Sequence, residues 1–587
     1  MSSSTSLSLR SAGWRRSNPD NTAKNHGIAT LSSIARNDIN KKIVRTIVAQ
    51  NPKDDLALMR LNRGACREYK FAPLPKRIIA QTYDKLIKQG KLAPDARLSQ
   101  LLKVRAVRTL SGVAPVTVLT KPYPCPGQCV YCPQEPGMPK SYLSNEPAAA
   151  RAKALNFDPF KQVQYRLKAL IANGHSPEKI ELLVLGATWS AYPWTYRQWF
   201  IKRCFEAANH FSVILNGAKR SEESTSVHAL EKAQRKNEKA KYRIIGVTLE
   251  TRPDFVTPAE IKRLRILGCT RVQLGAQILD DKILARVKRG HTVADLARAT
   301  EMLRDAGFKI DYHLMPNLPG ATPAKDLKTM RQIFADERFR PDQLKIYPTI
   351  VNKYAPLYRL YQQGKYKTYS PKKLLELIIE LKTAVPYYCR INRLIRDIPE
   401  QSIAAGNKVT NLRQLLELEL KKRRLVCKCI RCREVRDRNI SVIASEAERS
   451  GAKHGNPVNS TPQLFTISYK TPSGTEYFIS YESPRRNILY AFTRLRLSKN
   501  NNVIFPKLTG AGLIRELHTY GQLQTVGAKS RAVQHQGLGK KLMLAAEKIA
   551  RQKGYQKIAV IAGIGAREYY RKLGYKLEET YMVKKIK

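Results

Sequence analysis

Between residues 113 and 350 the chain alternates strand-like runs with stretches of helical periodicity, and this alternation limits the fold more than any other feature. The runs are VAPVTVL, KIELLVLGAT, IIGVTLET, RVQLGAQ, FKIDYHLMPNLPG and QLKIYPTI. Helical patterns near 160–172, 196–208, 259–267, 293–306 and 326–334 separate them. Strands read as fully apolar and joined by helices predict a parallel sheet or an open barrel, so the chain is an α/β multidomain protein. In such barrels the chemistry sits at the C-terminal ends of the strands.

The flanking segments differ in texture. Residues 1–25 are polar and read as a disordered tail. Residues 26–112 carry apolar side chains at helical spacing, such as Ile43, Ile47 and Val48, then Ile78, Ile79, Tyr83 and Leu86. With 22 Lys/Arg against 7 Asp/Glu in residues 1–110, this is a small basic helical domain. Residues 113–388 form the barrel and 389–433 a basic linker. Residues 434–587 form a second α+β domain with a flexible insert at about 437–463. In that last domain LFTISYK and EYFISYE read as strands joined by TPSG, and ILYAFTRLRLS, AGLIRELHTYG and KIAVIAG as further strands.

Across the 587 residues, 105 Lys/Arg stand against 47 Asp/Glu, a net charge of +58. That excess points to a polyanionic partner. Ten cysteines are too few for a disulfide scaffold, and their clustering points to metal in a reducing compartment. No apolar stretch suits a membrane span, and the Ser- and Arg-rich start has no apolar core of secretion-signal length. The expected location is the cytoplasm.

Cys125, Cys129 and Cys132 stand as Cys-x3-Cys-x2-Cys in KPYPCPGQCVYCPQEPG. Three thiolates on one short loop suit three corners of a cubic iron–sulfur cluster, leaving one iron for the amino and carboxylate groups of S-adenosylmethionine. Tyr131 is placed to stack on an adenine ring. The alternative is a structural zinc knuckle, which would need a distant fourth ligand. Cys427, Cys429 and Cys432 form a second, tighter triplet in a Lys/Arg-rich run. It reads as structural zinc, with Cys389 or a remote His as fourth ligand, or as reduced thiols. At strand ends, Glu250 and Arg252 suit the polar parts of a cofactor, Gln277 a hydrogen bond to it, and Lys345 and Tyr347 proton or radical work. Structural ion pairs and caps are the plainer reading of the first three. Further on, Gln534, Gly537 and Gly539 precede a helix. A glycine turn feeding a helix N-terminus presents free N–H groups to a pyrophosphate.

The loop, together with SYLSNEPAAARA, GVTLETRPD, CTRVQLGAQ, RGHTVADL and HLMPNLPG, resembles the radical S-adenosylmethionine superfamily and, within it, the family of Elongator catalytic subunits. The short gap between the first two cysteines is similar to the single-chain archaeal and bacterial members. Where the superfamily often has two glycines after the second strand, this chain has Gly186-Ala187. The C-terminal segment, with AREYYRKLGY, resembles the GNAT acetyltransferase fold. The resemblance implies a partial radical SAM barrel with a [4Fe-4S] cluster on the first triplet, joined to a GNAT-like domain. It implies an acetyl-CoA pyrophosphate on Leu538, Gly539 and Lys540, a strand Glu516-Leu517-His518-Thr519 that splays to take the acetyl arm, Tyr570 near the thioester sulfur, and Lys179 touching acetyl-CoA. It supports zinc at the second triplet.

The implied reaction is tRNA carboxymethyluridine synthesis. A 5′-deoxyadenosyl radical takes hydrogen from the acetyl methyl group, and the new carbon radical adds to carbon 5 of the wobble uridine. Loss of an electron and a proton, with thioester hydrolysis, completes it. The expected partners are the tRNA anticodon stem-loop, acetyl-CoA and an electron donor, with self-association open. Two other classes remain: a protein lysine acetyltransferase with a structural cluster, which leaves ETRPD unexplained, and a non-catalytic tRNA binder.

Overall fold

The computed structural model describes residues 33–103, 109, 111–211, 226–409, 411–435, 462–498, 504–521 and 537–586. The expected tail, nearly all of the expected insert and Gln534 lie outside them. The chain divides into two compact units, 1–102 and 103–587.

The first unit is helical: α1 (Ser33–Ala49), α2 (Asp55–Glu68), α3 (Lys76–Lys88) and α4 (Ala96–Leu101). Asp54 caps α2 by accepting the Ala57 amide at 2.7 Å, and Asp95 caps α4 through Arg97 and Leu98. The helical spacing read from the sequence becomes the core, with Ile43, Ile47, Leu58, Ile79, Tyr83 and Leu86 buried together.

In the second unit, seven strands form one parallel sheet in chain order. They are β1 (Ala114–Leu119), β2 (Lys179–Leu185), β3 (Arg243–Thr251), β4 (Cys269–Gln277), β5 (Lys309–Leu314), β6 (Gln343–Ile346) and β7 (Arg390–Arg393). The crossover helices begin where the sequence orders them to. Thr257, Thr322 and Ser370 each cap a helix whose first residue is proline, because that position needs no N–H and favours the fixed φ. Among the described residues no helix is long and apolar enough to cross a membrane.

Two expectations need correction. The strands are not fully apolar: Arg271, Gln273, Gln277, His313, Gln343 and Lys345 are buried on them. An apolar outer face packs on the helices, while a polar inner face lines a cavity. The sheet also runs past residue 388, because β7 lies in the segment expected as linker.

A second sheet holds β8 (Gln463–Thr471), β9 (Gly474–Glu482), β10 (Leu489–Ser498), β11 (Ala511–Thr519), β12 (Lys557–Val560), β13 (Lys576–Glu578) and β14 (Tyr581–Lys585), in the order β13-β14-β12-β11-β10-β9-β8. β11 pairs with β12 in parallel only from Ala511 to Ile514. Beyond that point Glu516–Thr519 keep β10 on one side and part from β12 on the other. The strand beside that gap leads into Gly563 and Gly565, which seat this sheet against the barrel. A Cβ on Gly563 would fall 2.0 Å from the Ile245 carbonyl oxygen, and one on Gly565 2.6 Å from Arg243 Cβ. Only glycine allows backbones to approach so closely.

A buried ionic seam reinforces this joint. Arg515 of β11 donates to both Asp342 oxygens and, at 2.7 Å, to the Phe308 carbonyl. Arg494 of β10 lies 3.4 Å from Asp342 and donates to the Tyr388 carbonyl at 2.7 Å.

Candidate active site

Alternate residues of the inner strands face one cavity of about 750 Å³, as the two-residue period of a strand requires. From β4 come Arg271, Gln273, Gly275 and Gln277; from β5, Lys309 and His313; Lys345 comes from β6, and Arg390 and Asn392 from β7. At one end the wall is the loop after β1, with Cys125, Cys129, Tyr131 and Cys132. At the other it is the second sheet, with Glu516, Leu517, His518 and Tyr570. Both predicted sites therefore open into the same space.

Two guanidiniums reach the sulfur loop through gaps left by glycine. Arg289 donates to Cys129 Sγ at 3.5 Å and to the Gly275 carbonyl at 3.0 Å, and a Cβ on Gly275 would sit 2.2 Å from its Nη2. Arg252 is fixed by two hydrogen bonds to Asp254, at 2.9 and 2.8 Å, and by one to the Gly290 carbonyl. Its Nη1 lies 2.6 Å from where a Gly127 Cβ would be. Burial opposes ionisation of Cys129, but the Arg289 charge and hydrogen bond outweigh it and hold the thiol below its usual value. Burial and the neighbouring Cys129 push Cys132 up to about 12.

The cavity wall at this end keeps buried polar atoms without hydrogen-bond partners: Arg252 Nη1, Gln277 Oε1 and His313 Nε2. Such atoms are costly unless a ligand satisfies them. A donor for a carboxylate and an acceptor for an amine, beside three cysteines, fit a cluster-bound S-adenosylmethionine. Glu250 accepts from Tyr142 at 3.0 Å, and its other oxygen lies 3.7 Å from His313 Nδ1. His313 is held neutral by burial and by the nearby Lys345 charge. Gly186 and Ala187 both take positive φ, 147° and 71°. A Cβ on Gly186 would collide with Thr120 Oγ1 at 1.7 Å, so that glycine is obligatory, whereas alanine accepts the left-handed geometry at a cost of about 1 kcal/mol.

Midway along the cavity, Lys345 Nζ donates to Gln273 Oε1 at 2.6 Å. Burial lowers its pKa to about 8 although Asp311 and Glu250 pull the other way. Tyr347 packs edge-on to His313, and burial raises its phenol.

At the far end, burial disfavours charge on Glu516, but Lys309 and Arg494 bring it down to about 2. His518 Nε2 lies 3.0 Å from the Ser111 carbonyl oxygen. Gly537 caps the helix Leu538–Gln552 with φ 71°, a left-handed turn that favours glycine. A Cβ on Gly539 would lie 2.8 Å from Tyr569 Oη and 3.6 Å from Thr519 Cγ2, so the turn faces the end of β11. Tyr569 is 41% exposed beside this turn, while Tyr570 is buried on the cavity wall. Lys540 is exposed on the first turn of the helix. Lys179 does not line the cavity. It opens β2 opposite Arg243, the residue against which Gly565 packs.

The second triplet is a different kind of site. The sulfurs of Cys427, Cys429 and Cys432 lie within 4.8 Å of one another. Ligands of a single tetrahedral zinc stand about 3.8 Å apart, whereas ligands to separate irons of a cluster stand further apart. Lys382 Nζ lies 3.8 Å from Cys432 Sγ, and hydrogen bonds from Cys427 and Cys432 hold the Cys429 thiol low. Cys389 stands behind them, its carbonyl accepting the Ile430 amide at 2.9 Å. It is not one of the three clustered ligands.

Arg289 and His313 were not singled out from the sequence. For His313 the signal was present in KIDYHL, where polar residues recur at every second position as they do in QLKIY, whereas Arg289 opens RGHTVADL, which has no such period.

Comparison with known proteins agrees with this geometry. The Radical SAM superfamily model matches residues 123–333, the Radical SAM C-terminal domain 341–422, and the acetyltransferase (GNAT) family 498–575. A "tRNA uridine(34) acetyltransferase" of Dehalococcoides mccartyi is 42% identical over 82% of this chain and 99% of its own length. The human "Elongator complex protein 3" is 36% identical over 83% of this chain and 86% of its own. The solved archaeal Methanocaldococcus infernus Elp3 with an N-terminal deletion superposes with a TM-score of 0.66 at 37% identity, covering 81% of this chain and 99% of that one.

Proposed function

The chain belongs to the family of tRNA uridine(34) acetyltransferases and Elongator complex protein 3, and on that premise we propose that it makes 5-carboxymethyluridine at the wobble position of tRNA from acetyl-CoA. The observation that carries this reading is the single cavity walled at one end by the cysteine loop and at the other by Glu516, His518 and Tyr570. A lysine acetyltransferase needs no such passage.

Cys125, Cys129 and Cys132 hold a [4Fe-4S] cluster, and the cluster with S-adenosylmethionine supplies the 5′-deoxyadenosyl radical. Arg252 takes the methionine carboxylate, Gln277 the amine, and Tyr131 the adenine, while Glu250 and His313 fix the neighbouring wall. Leu538, Gly539 and Lys540 seat the acetyl-CoA pyrophosphate, with Gly537 making the turn into the helix and Gln534 and Lys179 as further contacts to acetyl-CoA. Glu516–Thr519 guide the acetyl arm through the gap between β11 and β12, and the Tyr570 hydroxyl meets the departing thiolate. Lys345 takes the proton lost from carbon 5, with Tyr347 beside it. Cys427, Cys429 and Cys432 hold structural zinc with a fourth ligand. Basic surface holds tRNA phosphates, and an electron donor reduces the cluster.

The direct test is anaerobic incubation with tRNA, reductant, S-adenosylmethionine and acetyl-CoA labelled on the methyl carbon. Label on uridine supports the reading, and label on protein lysine alone overturns it. Two further results are expected. Product formation rises with pH through about 8 as Lys345 loses its proton; Lys345→Met removes that inflection and lowers kcat about 10²-fold, read from a pH profile. Arg289→Met lowers the midpoint potential of the cluster, because a cation beside a ligand sulfur favours the reduced, more negative state. Gly275→Ala has the same effect by pushing the guanidinium off Cys129 without deleting it. Potentiometric titration followed by electron paramagnetic resonance checks both, with iron content unchanged.

A further inference from the structure

The cysteine loop is a wall between two cavities. Its sulfurs and Tyr131 face the large one. Val130, next in sequence to Cys129, lines a second cavity of about 340 Å³ on another face, together with Arg286, Lys365 and Lys367. Two segments clamp the loop from that side. Val130 donates to the Val287 carbonyl at 3.1 Å and accepts from the Leu357 amide at 2.7 Å, and Gln134 donates to the Tyr354 carbonyl at 3.0 Å.

Both clamping segments are basic. Residues 282–291 and 353–367 contain no acidic side chain. Arg286, Lys288, Arg359, Lys365 and Lys367 are exposed, and none of them is ion-paired among the described residues. Gly320 (φ 90°) leaves room for the Arg286 side chain, whose Cδ and Nη1 lie 3.0 Å from where a Cβ would be. In a chain of net charge +58 a basic patch alone is not distinctive. Its place is: one residue separates this surface from a cluster ligand, on the face that S-adenosylmethionine, acetyl-CoA and uridine do not fill.

We propose that this surface, centred on Arg286, Lys365 and Lys367, docks the reductant, an acidic protein carrying a flavin or an iron–sulfur centre. The inference rests on reading the loop as a cluster site. One electron leaves the reduced donor, which is oxidised by one electron, and enters the oxidised cluster; no bond or proton changes hands. Once substrates fill the large cavity, that side is closed to a second protein, and the route past Val130 to Cys129 stays open. A tRNA backbone is the other polyanion the charge would suit, but tRNA must present its base to the large cavity, beyond the loop.

The test uses the full chain with its cluster and a reduced flavodoxin as probe, with dithionite as a small reductant that needs no docking. In Arg286→Glu/Lys365→Glu/Lys367→Glu, reduction by flavodoxin is expected to slow at least about tenfold at low salt and to lose its ionic-strength dependence. Reduction by dithionite, cluster iron content and tRNA affinity stay as in the parent. An unchanged flavodoxin rate overturns the proposal, as does a loss of tRNA affinity without a loss of flavodoxin rate. If the triple variant loads no cluster, Lys365→Gln/Lys367→Gln is read the same way. A parent chain that binds no cluster at all would instead sink the proposed function.

Discussion

Cys129→Ser is expected to bring carboxymethyluridine formation to background and to stop release of methionine from S-adenosylmethionine. Serine keeps the volume of the side chain but not the soft thiolate that iron requires, and Arg289, which donates to that sulfur and lowers the pKa of the thiol, would face an oxygen that does not ionise. Loss is total because no other described group in the cavity can start a radical. Affinity for acetyl-CoA should stay within about twofold, since its site lies at the opposite end of the cavity. Nucleoside mass spectrometry and acetyl-CoA titration on the same preparation check both halves. Full modification by this variant would overturn the cluster-dependent chemistry, since the product would then form without the cluster.

Asp342→Ala should be the most destabilising single change at the joint between the two sheets, by about 3–5 kcal/mol. Asp342 is 1% exposed and accepts from Arg515 and from the Ile310 amide at 2.9 Å, with Arg494 at 3.4 Å. Removing it leaves two guanidiniums buried beside each other. Arg494 keeps Glu516 and Arg515 keeps Glu476, each at 2.9 Å, so the seam is weakened rather than erased. Adding Arg515→Met to Asp342→Ala should recover part of the loss, because an absent pair costs less than an orphaned charge. Urea unfolding of the parent, both single variants and the double variant measures the coupling. Additive losses would show that the two residues do not act as a pair.

What the sequence disclosed depended on whether a residue's identity is itself the mechanism. Three closely spaced cysteines and glycines before a helix state their chemistry locally, and the capped helices begin at Thr-Pro and Ser-Pro pairs visible in the chain. The polar interior stayed hidden because alternation in RVQLGAQ averages to an apolar run. RINR looked like linker because four residues with two arginines make a poor strand in isolation; it becomes β7 since Arg390 and Asn392 find a polar cavity to face. The bond between Asp342 and Arg515 spans 173 positions, and nothing local to either residue announces it. Tyr570 was singled out by the resemblance alone, and burial is the physical difference that separates it from Tyr569.

The glycine contacts at residues 563 and 565 carry a consequence for engineering. With backbone pressed on backbone there, the two catalytic halves are not interchangeable modules. A chimera that grafts the acetyltransferase half of a distant relative onto this barrel must carry over the matching surface of β3 as well, or the channel for the radical will not line up.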